Sequence, residues 1–196
     1  LDLPAKVDGT YLFAADIRLP GMVYASIRHG PVGLPELVAF DEAAAAGAGL
    51  VGLVKAKRWI AAVADSWWRA DRALDRMALR FGGPGGVDSE AIEEALDRSV
   101  RTGEAMRIAS YGDPDALLTR LDPVQRYDIA PAVHAAIETA SATARYADGR
   151  LELWIASQAP EAAREAAAAA AGLSPSDVVL YPVGAGGSFD ARLEKQ

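Results

Sequence analysis

The chain has 196 residues, of which 51% are hydrophobic and 24% charged, and this composition is typical of a globular protein with one large or two small domains. Its formal net charge of −7 argues against non-specific nucleic-acid binding, and no apolar run approaches the roughly 18 residues needed to span a bilayer. Cysteine is absent, so this chain cannot form disulfides, use a thiol in catalysis or hold an iron–sulfur cluster through thiolates.

Short alternating and apolar segments predict an α+β domain in residues 1–82. Its strands are predicted at residues 9–17, 22–28, 50–54, 59–64 and 77–81. Asp41 is the predicted N-cap of a short helix at residues 42–46, and Ser66 the N-cap of a helix from Trp67 to Asp75. We expect Trp67 and Trp68 to pack in the core of this domain.

A cluster of four glycines and a proline, residues 82–86, predicts the end of the first domain. Residues 83–121 are interpreted as a linker and helical connector. Within it, Asp88 or Ser89 caps a helix that continues to Thr102, and a second helix begins at Pro114 and ends near residue 121.

Residues 122–196 are predicted to begin a second, mixed α/β domain. Tyr127 and Ile129 are placed in a strand, and residues 142–146 and 151–155 form a hairpin around a type I′ Asp148-Gly149 turn. A helix beginning at Pro160 and a strand at residues 177–183 complete a strand–helix–strand unit. We expect the natural protein to continue beyond this segment.

The two strands of that unit are each followed by residues that could contact a ligand. Gln158 follows the first strand, and a glycine-rich loop at residues 184–192 follows the second. Ligands collect at the carboxyl ends of strands in open α/β layers, and successive backbone N–H groups bind anions there. We therefore predict a ligand-binding edge at this place.

The glycine-rich loop has three interpretations: a dinucleotide fingerprint, a phosphate loop or a structural turn. The third glycine of a dinucleotide fingerprint would fall at position 189, which is Phe, and no Gly-Lys-Ser/Thr follows for a phosphate loop. His134 and Glu138, four residues apart, are interpreted as a satisfied polar pair at the entrance to a strand.

Six stretches resemble, in the same order, the molybdenum-cofactor subunit of the xanthine dehydrogenase/aldehyde oxidase family, and the isoquinoline 1-oxidoreductase beta-subunit branch in particular. They are residues 3–9 (LPAKVDG), 16–25 (DIRLPGMVYA), 63–70 (VADSWWRA), 134–138 (HAAIE), 153–158 (LWIASQ) and 186–194 (GGSFDARLE).

This resemblance implies an α/β-hammerhead domain followed by the first part of a molybdopterin-binding domain. It implies a subunit that hydroxylates N-heteroaromatic compounds or oxidises aldehydes, with water as the oxygen source and molybdenum–molybdopterin as the cofactor. The implied partners are the rest of that subunit, a small subunit with two [2Fe–2S] clusters and, as is frequent in this branch, a cytochrome c acceptor at the periplasmic face. The resemblance favours the periplasm as the compartment, with the cytoplasm as the alternative. The implied cofactor contacts are Gln158, Gly186, Gly187, Ser188, Phe189 and Asp190, with Gln158 donating a hydrogen bond to an oxo ligand.

The sequence departs from the family pattern at three places. Glycine is usual where Ser188 and Asp190 stand, a basic residue is usual at Ala191, and Met-Glu-Pro is usual at residues 137–139. The family's catalytic glutamate lies far downstream, so we expect no catalytic residue in this segment and no activity from it alone. The alternative hypothesis is a structural or assembly module that kept the fold and lost cofactor binding.

Overall fold

Short strands and helices follow one another in the computed structural model, which describes residues 3–31, 33, 35–47, 49–83, 87–104, 106–113, 116, 125, 127–130 and 132–189. The helices are α1 Leu3–Asp8, α2 Trp67–Arg76, α3 Ser89–Thr102 and α4 Pro160–Ala171. The strands are β1 Tyr24–His29, β2 Glu36–Ala39, β3 Leu50–Lys55, β4 Trp59–Ala64, β5 Arg80–Gly82, β6 Ala142–Ala147, β7 Arg150–Ile155 and β8 Val178–Pro182.

These elements divide into two compact units. One, the central unit, comprises Pro20–Gln125; the other, the loop unit, joins Leu1–Leu19 to Arg126–Gln196. The first 19 residues, assigned by sequence to the first domain, thus make their contacts with the C-terminal residues. The boundaries at residues 82 and 122 stay a prediction about independently folding segments, and so does the hammerhead assignment. The mixed α/β character is confirmed.

In the central unit, α2 packs on an antiparallel sheet of order β1-β4-β3. The middle strand β4 is almost wholly apolar, and Ile60 is fully buried. Alanines at positions 70 and 73 let the helix lie close to the sheet, and Leu74 fills the remaining space. As predicted, Ser66 begins this helix by accepting a hydrogen bond from the backbone N–H of Arg69.

The loop unit contains the predicted hairpin and strand–helix–strand unit. Strands β6 and β7 are antiparallel, and Asp148 and Gly149 between them have φ angles of 51° and 74°, the positive values that a type I′ turn requires. Helix α4 begins at Pro160 and ends at Gly172 in the left-handed conformation. The chain then returns as β8, parallel to β7, which confirms the predicted connection.

Two predicted strands were wrong. Residues 9–17 form a single parallel bridge from Phe13 to Gly184 and a 3₁₀ turn at Ala14–Asp16, because the carboxylate of Asp16 accepts the N–H of Phe13 and bends the chain. The described residues at 127–130 form no strand, and Tyr127 lies exposed.

The tryptophan pair was also placed wrongly. Trp67 and Trp68 are 54% and 58% exposed, and the buried residues of α2 are Ala70, Ala73 and Leu74. The guanidinium of Arg72 lies over the Trp68 ring at 4.3 Å and covers part of it.

The predicted strand at residues 77–81 is confined to β5, because Met77 is buried at the end of α2 and Ala78 has a φ of 46°. Helix α3 begins at the predicted cap Asp88. The predicted helix from Pro114 lies almost wholly outside the described residues. None of the helices in the described parts of the chain is long and apolar enough to cross a membrane.

Candidate functional site

The edge where β7 and β8 end is the part of the loop unit that gathers the predicted site residues. The two strands are parallel and in register up to Ile155 and Pro182, and the N–H of Val183 donates to the carbonyl of Ile155 at 3.1 Å. Because parallel strands end on the same side, the segment containing Gln158 and the loop beginning at Gly184 leave the sheet at one edge.

Gln158 lies exposed in the bend between β7 and α4. The bend is shaped by Ser157, whose hydroxyl accepts the N–H of Ala159 at 3.0 Å, and by Pro160, which starts the helix. A glutamine at this place can present a side-chain amide donor to a molecule at the strand ends.

The glycine-rich loop is covered by the N-terminal segment at its first glycine. Phe13 forms the parallel bridge with Gly184, and the Tyr11 ring lies so close that a Cβ at Gly184 would come within 2.1 Å of it. The Tyr11 and Phe13 rings in turn contact each other edge to face at 5.0 Å. Glycine at position 184 thus leaves room for the tyrosine ring in this orientation.

The next glycine of the loop is held by Glu138. The carboxylate accepts the N–H of Gly186 at 2.7 Å through Oε2 and the N–H of Ala14 at 3.1 Å through Oε1. The backbone N–H of Glu138 donates back to the carbonyl of Gly186 at 3.2 Å. A Cβ on Gly186 would lie 2.5 Å from the Cβ of Glu138, so this position too requires glycine.

The end of the described loop contacts the same stretch of chain. Gly187 has a φ of 123°, and a Cβ there would approach the Cβ of Ala136 to 3.0 Å. The ring of Phe189, a residue with a φ of 47°, lies 6.2 Å from that of His134, centroid to centroid. Residues 134–138 therefore form one wall of the loop.

After Gly186, the loop has three backbone donors without a hydrogen-bond partner within the described residues: the N–H groups of Gly187, Ser188 and Phe189. Consecutive N–H groups of this kind suit an anionic or strongly polar group. Asp190, the last member of the predicted set, lies outside the described residues.

A cavity of about 240 Å³ adjoins this edge between α4 and the sheet. Small residues line it, including Ala156, Ser157, Ala163 and Ala167. The hydroxyl oxygen of Ser141 on its wall is buried and has no hydrogen-bond partner among the described atoms.

The structure places two of the predicted segments at this edge and adds a third that the sequence did not indicate. Gln158 and the loop were predicted at one edge from strand order alone. Glu138 was interpreted as one of a polar pair at a strand entrance, and in the structure its carboxylate accepts the backbone N–H groups of Ala14 and Gly186. The part taken by Tyr11–Ala14 was not anticipated, since no local pattern identifies a partner more than a hundred residues away.

Comparison with known proteins indicates which class of protein the chain resembles. The family model of the molybdopterin cofactor-binding domain matches residues 98–194. The fold is shared with quinoline 2-oxidoreductase from Pseudomonas putida 86, at a TM-score of 0.67 and 19% identity over 96% of this chain and 30% of that one. CO dehydrogenase from Oligotropha carboxidovorans gives a TM-score of 0.64 at 16% identity, over 96% of this chain and 30% of that one.

The chain is therefore similar to the molybdopterin-binding subunits of oxidoreductases, through the family model over residues 98–194 and through a shared fold. Among curated proteins it is similar to isoquinoline 1-oxidoreductase subunit beta of Brevundimonas diminuta, with 27% identity over 208 aligned positions. The alignment covers 98% of this chain and 26% of the relative, so the chain spans about a quarter of that relative's length.

Proposed function

We propose that this chain forms part of a subunit that hydroxylates N-heteroaromatic compounds or oxidises aldehydes, with water as the oxygen source. The observation that carries the proposal is the shared edge, where Gln158 and the loop from Gly184 leave two parallel strands inside the region that the cofactor-domain family matches. The names of two relatives, an isoquinoline and a quinoline oxidoreductase, support the heteroaromatic class of substrate.

The residues at this edge fit an anionic cofactor such as molybdenum–molybdopterin. The N–H groups of Gly187, Ser188 and Phe189 supply donors, whereas the N–H of Gly186 is already donated to Glu138. Gln158 would add a side-chain amide donor, and Asp190 stays in the proposed set. When bound, the cofactor supplies the centre that takes up the substrate's electrons. The protein residues named here hold and orient it.

Replacement of Gln158 tests this assignment. In the protein purified from its native host, Gln158→Ala should lower turnover about tenfold or more, the scale of losing one donor that stabilises a transition state. Gln158→Glu keeps the size of the side chain and removes the donor, so it should behave similarly. Glu165→Gln, an exposed change on α4, is the matched control. Wild-type turnover in a molybdenum-replete Gln158→Ala enzyme would remove Gln158 from the site.

The 196-residue chain alone is proposed to have no useful affinity for the cofactor and no activity. The loop offers three backbone donors, which is a small part of what a large anionic cofactor needs to be held. Metal analysis of the purified chain checks this, and stoichiometric molybdenum would contradict it. No comparison favours the alternative of a structural or assembly module. Wild-type turnover of the protein from its native host with the whole loop altered would support that alternative.

This chain has no cysteine, so these 196 residues cannot hold an iron–sulfur cluster through thiolates. We propose a cysteine-rich [2Fe–2S] subunit as the direct partner and a cytochrome c acceptor in the periplasm. Purification from the native host, followed by iron analysis and visible absorbance, checks the partner. An active, molybdenum-loaded protein that contains no iron and no cysteine-rich partner would refute it.

A further inference from the structure

Glu138 joins three segments that are far apart in the sequence. Its carboxylate accepts from Ala14, 124 residues away, and from Gly186, 48 residues away. The backbone N–H of Glu138 also donates to the carbonyl of Gly186. Both the N–H and the carbonyl of Gly186 are therefore hydrogen-bonded to Glu138. Such contacts join residues that are distant in the sequence. They therefore fix the positions of segments that have no regular secondary structure of their own.

We propose that Glu138 is a positioning residue that fixes the glycine-rich loop and ties the N-terminal segment Tyr11–Asp16 to it. The inference rests on the proposed function, because the loop so fixed is the one that presents the N–H groups of Gly187, Ser188 and Phe189 to the cofactor. It makes the N-terminal segment a structural part of the cofactor-binding loop.

The chemistry of the contacts supports a positioning role. Hydrogen bonds from backbone N–H groups to a carboxylate are stronger than neutral ones. The carboxylate also takes the place that an anion would otherwise occupy at Gly186. An external anion is thereby directed to the following N–H groups, which have no partner among the described residues.

Contacts on either side of Gly186 leave the loop backbone little freedom to adopt another conformation. The Tyr11 ring fills the space over Gly184, and Ala136 fills the space over Gly187. The backbone of Gly186, between these two contacts, is held by two hydrogen bonds to Glu138. Its N–H donates to the carboxylate, and its carbonyl accepts the backbone N–H of Glu138. Loss of the carboxylate should therefore loosen Gly186 and Ala14 together.

Amide hydrogen exchange of the 196-residue chain measures this directly, without any cofactor. In Glu138→Ala, the amides of Gly186 and Ala14 should exchange about tenfold faster or more, the scale of a lost hydrogen bond to a charged group. Glu138→Gln should lie between wild type and Glu138→Ala, because one amide oxygen can accept from only part of the set. Glu165→Gln on α4 should leave both rates unchanged.

A second variant separates the two donors. Ala14 is the first residue of a 3₁₀ turn, a position where proline is tolerated, so Ala14→Pro deletes one donor. Combined with Glu138→Ala, it should accelerate exchange at Gly186 no further than Glu138→Ala alone, since contacts that share a partner are not additive. Fully additive effects, or wild-type exchange at Gly186 in Glu138→Ala, would overturn the proposal.

The link to the cofactor is decided in the protein from its native host. Glu138→Gln should lower molybdenum content severalfold, and residual turnover should scale with the metal present. Loosened exchange with wild-type molybdenum content and turnover would show that Glu138 serves the fold alone and would overturn the positioning role. A wild-type protein without molybdenum would refute the proposed function and this role with it, whereas the exchange data would still decide whether Glu138 holds the loop.

Discussion

Replacement of Gly186 by alanine should destabilise the loop unit, because the added Cβ would clash with Glu138. A Cβ added there lies 2.5 Å from the Cβ of Glu138, about 0.9 Å short of the 3.4 Å at which ordinary contact begins. Because both atoms are attached directly to backbone, no side-chain rotation relieves the clash. The backbone must shift and weaken the pair of hydrogen bonds between the two residues. Overpacking of this kind costs roughly 1–3 kcal/mol, and we expect the upper half of that range.

Two other glycines provide the comparison. Gly184→Ala creates a shorter contact, 2.1 Å to a Tyr11 ring carbon, but that atom is at the far end of a side chain that can swing aside, so we expect a smaller cost. Gly52→Ala in β3 meets nothing within 4 Å, and Gly52 does not have a positive φ. It should be neutral or stabilise by about 0.4–1 kcal/mol, through a less flexible unfolded chain.

Native-state hydrogen exchange resolves these effects by unit. Amides of β7 and β8 report the free energy of unfolding of the loop unit, and those of β4 report that of the central unit. Gly186→Ala should accelerate exchange in the first pair of strands only. If its effect were smaller than that of Gly184→Ala, or equal to that of Gly52→Ala, the close approach of Glu138 to the loop would be refuted.

Three further predictions concern the central unit and its connection. Partial burial raises the pKa of Asp71, but hydrogen bonds from Arg28 and Ser26 outweigh it and hold that pKa below its ordinary 3.8. The stability that Asp71 contributes is thus complete above about pH 3.8 and is lost as the pH falls through the lower pKa of the folded state. In urea unfolding, Asp71→Asn should therefore lower the free energy of unfolding less near pH 3 than near neutrality. Leu74→Ala should cost about 2–5 kcal/mol in the same assay, and a cost below about 1 kcal/mol would contradict its burial. Limited proteolysis should cut first within residues 83–121, and early cleavage at residues 50–80 would contradict the predicted boundary.

Local chemistry explains which parts of the fold the sequence predicts well. The hairpin follows from Asp148-Gly149, because few other dipeptides adopt two positive φ angles at low cost. Helix α4 follows from Pro160 at its start and Gly172 at its end. Each of these signals lies within the element that it specifies, so neighbouring residues suffice to interpret it.

The misplaced elements depend on residues elsewhere in the chain. Tyr11 and Phe13 alternate as strand residues do, yet among the described residues Phe13 forms one bridge, to Gly184, and the chain then turns away. Trp67 and Trp68 are hydrophobic enough for a core, but the space against the sheet is narrow and favours the alanines of α2. In both cases, contacts with residues distant in the sequence determine where the side chain lies. The local sequence pattern does not reveal those contacts.

The glycine spacing of the loop illustrates why pattern alone left its role open. Gly184 and Gly186 are explained by the protein's own side chains, Tyr11 and Glu138, which occupy the space a Cβ would take. Their presence is therefore no evidence for a ligand. The ligand argument rests on the N–H groups of the next three residues and on the edge they share with Gln158. Ser188 provides one of those N–H groups as well as glycine would, because a backbone donor does not depend on the side chain; its departure from the family pattern thus leaves the proposed donor set intact.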